Sequence, residues 1–185
     1  RTYHQPLGYA GDYEMMNMIH KEEPAGPNAY SRIVNAMYVS LPIAACVRNR
    51  ARDIEGLLHA GALSQSECGQ TFSVISIGCG PAYEVERFIR NSAISHAAHF
   101  DLLDLNEETL SFVANRLDAA SKESGHSANF TLIHESVHFL IKSSVLSPGD
   151  EPHKAYDLVY CAGLFDYLSD KVCARLMRLF WLWLR

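Results

Sequence analysis

Apolar positions along the chain follow two periods. Short runs rich in β-branched or other apolar residues occur at 72–77 (FSVISI), 99–104 (HFDLLD), 129–134 (NFTLIH) and 156–160 (YDLVY). Each is too short for a helix and is followed by glycine or polar residues, which is how strands of a buried parallel sheet read. Between them the apolar period becomes helical. Residues 82–90 follow the first run, and 107–122 follow the second with Leu110, Val113 and Leu117 on one side. A last helix starts near Ser169 and carries Val172, Leu176, Leu179 and Phe180 inward. Alternating strands and helices predict an α/β fold, a doubly wound parallel sheet with right-handed crossovers.

Ahead of the first strand the period is helical. Asp12 suits a helix cap, and Met15, Met16, Met18 and Ile19 then form an apolar face of core-filling residues. A polar Pro/Gly linker at 21–28 leads to a pattern from Ala29 with Ile33, Val34, Met37, Tyr38 and Leu41 on one side. Pro42 should kink or divide it. The pattern resumes over 43–59 with Val47, Ile54, Leu57 and Leu58 inward, and Gly61 is placed to end it. Arg48, Arg50 and Arg52 read as a solvated face, with an acidic substrate or carrier protein as the alternative. Two parts follow: a lid loop and helical extension over 1–68, and a core over 69–185.

The chemistry concentrates after the first strand, in Gly78-Cys79-Gly80-Pro81. A strand, a glycine turn and a helix start in that order make a ligand edge, because glycine lets the backbone approach and free N–H groups face outward. A tight turn with no ligand is the bland alternative. A dinucleotide fingerprint needs a third glycine where Tyr83 stands, which weakens a nicotinamide or flavin reading. No Gly-Lys-Ser/Thr follows, so a Walker loop is absent. Asp104 ends the second strand, and a carboxylate there can accept two hydrogen bonds from a ribose diol. Asn106 suits the next helix cap. Asp101 is the competing acid but lies in mid-strand, and Asp157 starts its strand at the edge away from the ligand.

The opening 1–13 is rich in glycine and tyrosine, with Tyr3, His4, Tyr9 and Tyr13, and suits a lid over a small-molecule pocket. Asp166 reads as a helix cap or a base. Residues 134–138 match H-E-x-x-H, but that motif binds zinc when one helix carries both histidines, and His134 ends a strand pattern before His138. A zinc hydrolase is therefore the minor alternative, and no metal is expected. Trp181 and Trp183 cannot share a helix face, so one should pack on a further segment or a partner.

Composition narrows the class. With 48% hydrophobic and 20% charged residues the chain is of ordinary globular type. A net charge of −5 argues against non-specific nucleic-acid binding. Five scattered cysteines, an odd number, suggest a reducing, cytoplasmic setting. No apolar run is long enough to span a bilayer. The chain opens without Met and stops inside a helical pattern, which reads as a piece of a longer protein.

ISIGCGPAYE, LLDLNEETL and YDLVYCAGLFDYL, in that order, resemble the motifs of class I S-adenosylmethionine-dependent methyltransferases. Ser76 replaces the usual first acid, and Ala82 the last glycine. The opening QPLGYAGDYEMMNMIH and the stretch PIAACVRNRARDI are similar to the bacterial extracellular-factor, 3-hydroxypalmitate methyl ester biosynthesis family. The resemblance implies a Rossmann-like sheet with strand order 3-2-1-4, its carboxyl-terminal strands missing from this sequence. A second copy of the chain or a further segment would then cover the fourth strand. It implies S-adenosyl-L-methionine as cofactor and S-adenosyl-L-homocysteine as product, held by Gly78, Cys79, Gly80, Pro81, Asp104, Leu105, Asn106, Ser136, Val137, Cys161 and Gly163. The acceptor would be the carboxylate of a hydroxy fatty acid, free or carrier-bound, held by Tyr3, His4, Tyr13 and Tyr167. Were the nucleophile a hydroxyl or an amine, His4 or Asp166 would be the base. A non-catalytic S-adenosylmethionine-binding module is the alternative from another class.

Overall fold

Helix and strand begin where the sequence supplies caps and glycines. The structure, a computed structural model, describes residues 12–127, 129–146 and 156–185, with backbone alone for 143–146. Helices α1 (Tyr13–Lys21), α2 (Ala29–Val39) and α3 (Pro42–Glu67) precede strand β1 (Phe72–Ile77). Helix α4 (Tyr83–Asn91), β2 (Ala98–Asp104), α5 (Glu107–Ser124), β3 (Asn129–His134), α6 (Val137–Leu146), β4 (Leu158–Tyr160) and α7 (Asp170–Trp183) follow. The four strands form one parallel sheet in the order β3-β2-β1-β4. In register, Ile77 lies beside Leu103 and Leu103 beside Ile133, so three strand ends share one edge.

Alternation along the strands builds two cores. Val74, Phe100 and Leu102 face α3, α4 and α5, where Leu58, Val85, Phe88, Val113 and Leu117 meet them. Ile75, Ile77 and Leu103 face the other way, onto Leu176, Leu179 and Phe180 of α7 and partly buried residues of α6. Each such large side chain contributes about 1.5–3 kcal/mol on burial. Leu58 and Ala62 of α3 belong to the same core as Phe72 and Val74.

Several expectations are corrected here. Pro42 does divide the second pattern, as first residue of α3. That helix runs on to Glu67, however, through Gly61. Gly61 is not a stop but a close approach, since a methyl there would overlap the Phe72 ring. Gly61→Ala should therefore lower stability by about 1–2 kcal/mol net, overpacking outweighing the gain in helix propensity; a thermal melt would show it. Leu57 is exposed, and so are Tyr30, Ile33 and Met37 on α2 and Leu41 just beyond its end. Of that helix only Val39 is buried.

The arginine run is not one solvated face. Arg48 is nearly buried, donates from Nη1 to the carbonyls of Ile19 (3.2 Å) and Val39 (3.0 Å), and pairs with Glu22 at 3.0 Å. It thus ties the carboxyl ends of α1 and α2 together, where cations suit the helix dipole. Arg52 bonds Asn49, while Arg50 faces the cavity described below. At the far edge of the sheet Asp157 accepts from the Ser73 amide at 2.8 Å, the structural position expected of it. Tyr156 bridges in parallel to Leu184, so residues after α7 begin to run beside the approach to β4. Trp183 meets the Tyr156 ring edge-on, and Trp181 is exposed.

Candidate functional site

The strand-end edge opens into a cavity of about 820 Å³. Its floor is the turn after β1. Gly78 (φ 65°) and Gly80 (φ 52°) both take the left-handed region that glycine tolerates. Pro81 does not open the helix, although proline suits a first helical position. The Ala82 amide bonds the Cys79 carbonyl at 3.1 Å, and Ala82 itself is left-handed at φ 48°, so α4 begins at Tyr83. A residue with a Cβ costs roughly 1–2 kcal/mol in that conformation, so glycine would suit this position on backbone grounds. A Cβ added at Gly80 would meet no atom within 4 Å, so the space above it is open.

Asp104 closes the floor. Its Oδ2 accepts from the Gly80 amide at 3.1 Å and its Oδ1 from the Asn106 amide at 2.9 Å. The side chain therefore points at the glycine bend. A carboxylate has about four acceptor sites, so these backbone N–H groups do not fill it, and the residue lines the cavity. Burial raises the Asp104 pKa, and backbone N–H groups at Asn106, Gly80 and Leu105 and the charge of His134 work against that shift.

The walls come from several elements. Gly78, Cys79, Gly80, Pro81, Asp104, Leu105, Ser136, Val137, Gly163, Tyr13 and Tyr167 all line the cavity. Two candidates do not. Asn106 spends its side chain capping α5, accepting from the Thr109 amide at 3.1 Å. Cys161 sits one residue past Tyr160, so alternation turns it to the opposite core, where burial raises its thiol pKa to about 11. Cys79 is buried and its thiol also raised, by burial first and then by Asp104 and Glu84, which fits a wall residue better than a nucleophile. Ser136 caps α6 by accepting from the Phe139 amide at 3.1 Å. Tyr13 donates its hydroxyl to Glu108 at 2.5 Å. Tyr3 and His4 lie outside the described residues. Asp166 lies in the turn before α7 and lines the cavity; the cap position belongs to Ser169.

The H-E-x-x-H pentapeptide straddles the end of β3 and the start of α6. His134 bonds the Leu105 carbonyl at 2.8 Å through Nε2. Among the described residues no group of three His, Cys, Asp or Glu side chains could hold a metal ion.

Two wall residues, His20 and Glu84, carried no signal in a linear reading, and a third, Arg50, was read first as part of a solvated face, with contact to an acidic substrate as the alternative. His20 stacks on Tyr83, with centroids 3.9 Å apart, and its pKa is lowered to about 4 by burial and then by Arg116 and other arginines. Glu84 is buried in the first turn of α4, and its Oε1 accepts the Tyr160 hydroxyl at 2.9 Å. Burial raises its pKa, against the pull of its own amide and Tyr160. Ser76 lies in register beside Tyr160.

No family model matches the chain, and no curated protein does. A solved structure does match: a possible exported protein from Bordetella parapertussis, at 20% identity and a TM-score of 0.65. The alignment covers 94% of this chain and 51% of that one, so the chain spans about half the length of this neighbour. At that identity the likeness is one of fold. With its parallel order β3-β2-β1-β4 and flanking helices, the chain has an α/β, Rossmann-like architecture. No described helix is long and apolar enough to cross a membrane.

Proposed function

We propose that the chain carries the S-adenosylmethionine-binding part of a methyltransferase, and that its acceptor is the carboxylate of a hydroxy fatty acid, free or carrier-bound. One observation carries the reading: Asp104 is anchored to the Gly80 amide across the glycine bend and still presents acceptor sites to an open cavity. A ribose diol fits that pair, and the open space above Gly80 accommodates a ligand without a diphosphate. Pro81, Leu105 and Val137 supply apolar wall beside it.

When bound, the cofactor supplies a methyl group already activated on sulfonium sulfur. The chain's task is then to align, orient and exclude water. A carboxylate acceptor is ionised at neutral pH and needs no general base. Met16, Ile43, Val47 and Ile54 give the cavity an apolar side that suits an acyl chain. Tyr13 and Tyr167 border the same space, and the lid role proposed for Tyr3 and His4 falls on residues not described. The five free cysteines accord with a reducing, cytoplasmic setting.

Calorimetric titration with S-adenosylhomocysteine, followed by transfer from radiolabelled methyl donor to 3-hydroxypalmitate, tests the proposal. Saturable heat and labelled ester are expected. Heat without turnover would make the chain a binding module, and no heat and no thermal shift would remove the reading.

A further inference from the structure

Glu84 is an unusual place for a carboxylate. It is 6% exposed, yet it borders the cavity from the first turn of α4. Among the described residues its only hydrogen-bond donor from another side chain is the Tyr160 hydroxyl, and no ion pair closes on it. A buried carboxylate without a cation is costly, and the cost is met when a cation arrives from the cavity. Arg50 of α3 borders the same space beside Gly163; a Cβ built there would stand 3.3 Å from its Nη2. No carboxylate pairs with Arg50 among the described residues, although it is near enough to act on the charge of Glu84.

We propose that Glu84 and Arg50 form a clamp for a zwitterion, Glu84 taking the α-ammonium and Arg50 the α-carboxylate of an aminoacyl ligand. The inference rests on the reading of the cavity as an adenosyl-cofactor site, because Asp104 would hold the ribose while this pair holds the amino-acid end. It explains how the chain manages with Ser76 in place of an acid at the end of β1. The acid has moved to the helix, buried behind the same glycine bend. An ammonium presents three donors to one carboxylate, and a guanidinium fork matches the other end of the zwitterion.

Two ligands separate this from the underlying reading: S-adenosylhomocysteine, and 5′-methylthioadenosine, which has the nucleoside but no amino-acid end. Glu84→Gln keeps the size and can still accept from Tyr160. It should weaken S-adenosylhomocysteine by about tenfold or more, the worth of a charge-assisted bond, and leave 5′-methylthioadenosine unchanged. Arg50→Gln should do likewise. Equal losses for both ligands, or none, would overturn the clamp while the nucleoside site stood. If the unaltered chain bound neither ligand, the cavity reading itself would fall and take the clamp with it.

A second measurement needs no variant. Free Glu84 has a raised pKa, so an arriving ammonium should drive off a proton. The groups facing it are Tyr160 from β4, Cys79 from the turn, Arg50 from α3 and Arg116 from α5. Titrations below neutral pH in buffers of different ionisation enthalpy should show more proton release for S-adenosylhomocysteine than for 5′-methylthioadenosine. Any contribution of Asp104 is common to both ligands, so equal release would count against Glu84.

Discussion

Asp104→Ala is expected to weaken S-adenosylhomocysteine by about a hundredfold or more. Two charge-assisted bonds to a ribose diol are each worth roughly 1.5–3 kcal/mol, and about 1.4 kcal/mol is a factor of ten. The same change removes the acceptor of the Gly80 and Asn106 amides, which hold the glycine bend against the end of β2. Leaving them unpaired costs a further 1–3 kcal/mol or so of stability, less if cavity water reaches them. The two effects are separable. A melt without ligand reports the bend, and calorimetry with ligand reports the diol. Asp101→Asn is the control, because that acid lies in mid-strand beside Ile75 and accepts from Tyr156 at 2.6 Å on the other face. It should shift the melt and leave the affinity alone. Should Asp104→Ala bind as well as the unaltered chain, the ribose assignment would be lost. The pH dependence has a definite sign. Burial raises the Asp104 pKa, so the folded state holds its proton to higher pH than the unfolded chain. That part of stability is present at low pH and declines as pH rises through the carboxylate range.

The centre of the sheet was legible in the sequence because β1 and β2 are buried on both faces. A run such as FSVISI has few other fates, and the strand order follows once the alternation with helices is seen. Asp104 was legible for a related reason, since a polar residue at the end of an apolar run marks the strand end. Linear reading failed where one residue's meaning depends on a partner distant in sequence. Gly61 looked like a helix stop, and only the Phe72 ring lying against it shows why the glycine is there. Arg48, Arg50 and Arg52 looked like one face at spacing two, but on a helix that spacing turns each about 200° from the last. One clasps two helix ends, one borders the cavity and one bonds Asn49 at the surface. The apolar stripe on α2 was legible as one side of a helix, but apolar periodicity reports a face without saying what covers it, and the stripe is exposed. Cys161 was placed in the cavity wall by its motif, and the alternation that starts at Leu158 sends it to the other core.

The largest loss of stability is expected at Arg116. From α5 its Nε and Nη2 fork onto Glu86 of α4, a carboxylate that also takes Arg90 at 3.0 Å. Nη1 reaches Asn17 of α1 at 3.0 Å, and the guanidinium lies 3.5 Å over the Tyr83 ring. His20 of α1 stacks on that ring 3.9 Å from its centroid. One side chain thus holds α1, α4 and α5 together and sets the ring that replaces the third glycine of a dinucleotide site. Arg116→Met keeps the stem and removes the fork. Removing one partner of a buried pair costs about 3–5 kcal/mol; Arg90 still serves Glu86, so a loss of about 2–4 kcal/mol is expected. Helix α1 should loosen first, read as faster hydrogen exchange of its amides. His20 gives an independent signal. Its pKa stands lowered to about 4, by burial first and the Arg116 charge second. A lowered folded-state value means that the unfolded chain binds the proton more readily between that value and the ordinary one near 6.5. Stability is therefore lost as pH falls through that window. In Arg116→Met the His20 value should rise toward the ordinary one and the window narrow, which an NMR titration of the ring would follow. An unchanged His20 titration together with an unchanged melt would mean that α1 is held by Tyr13 and Arg48 alone.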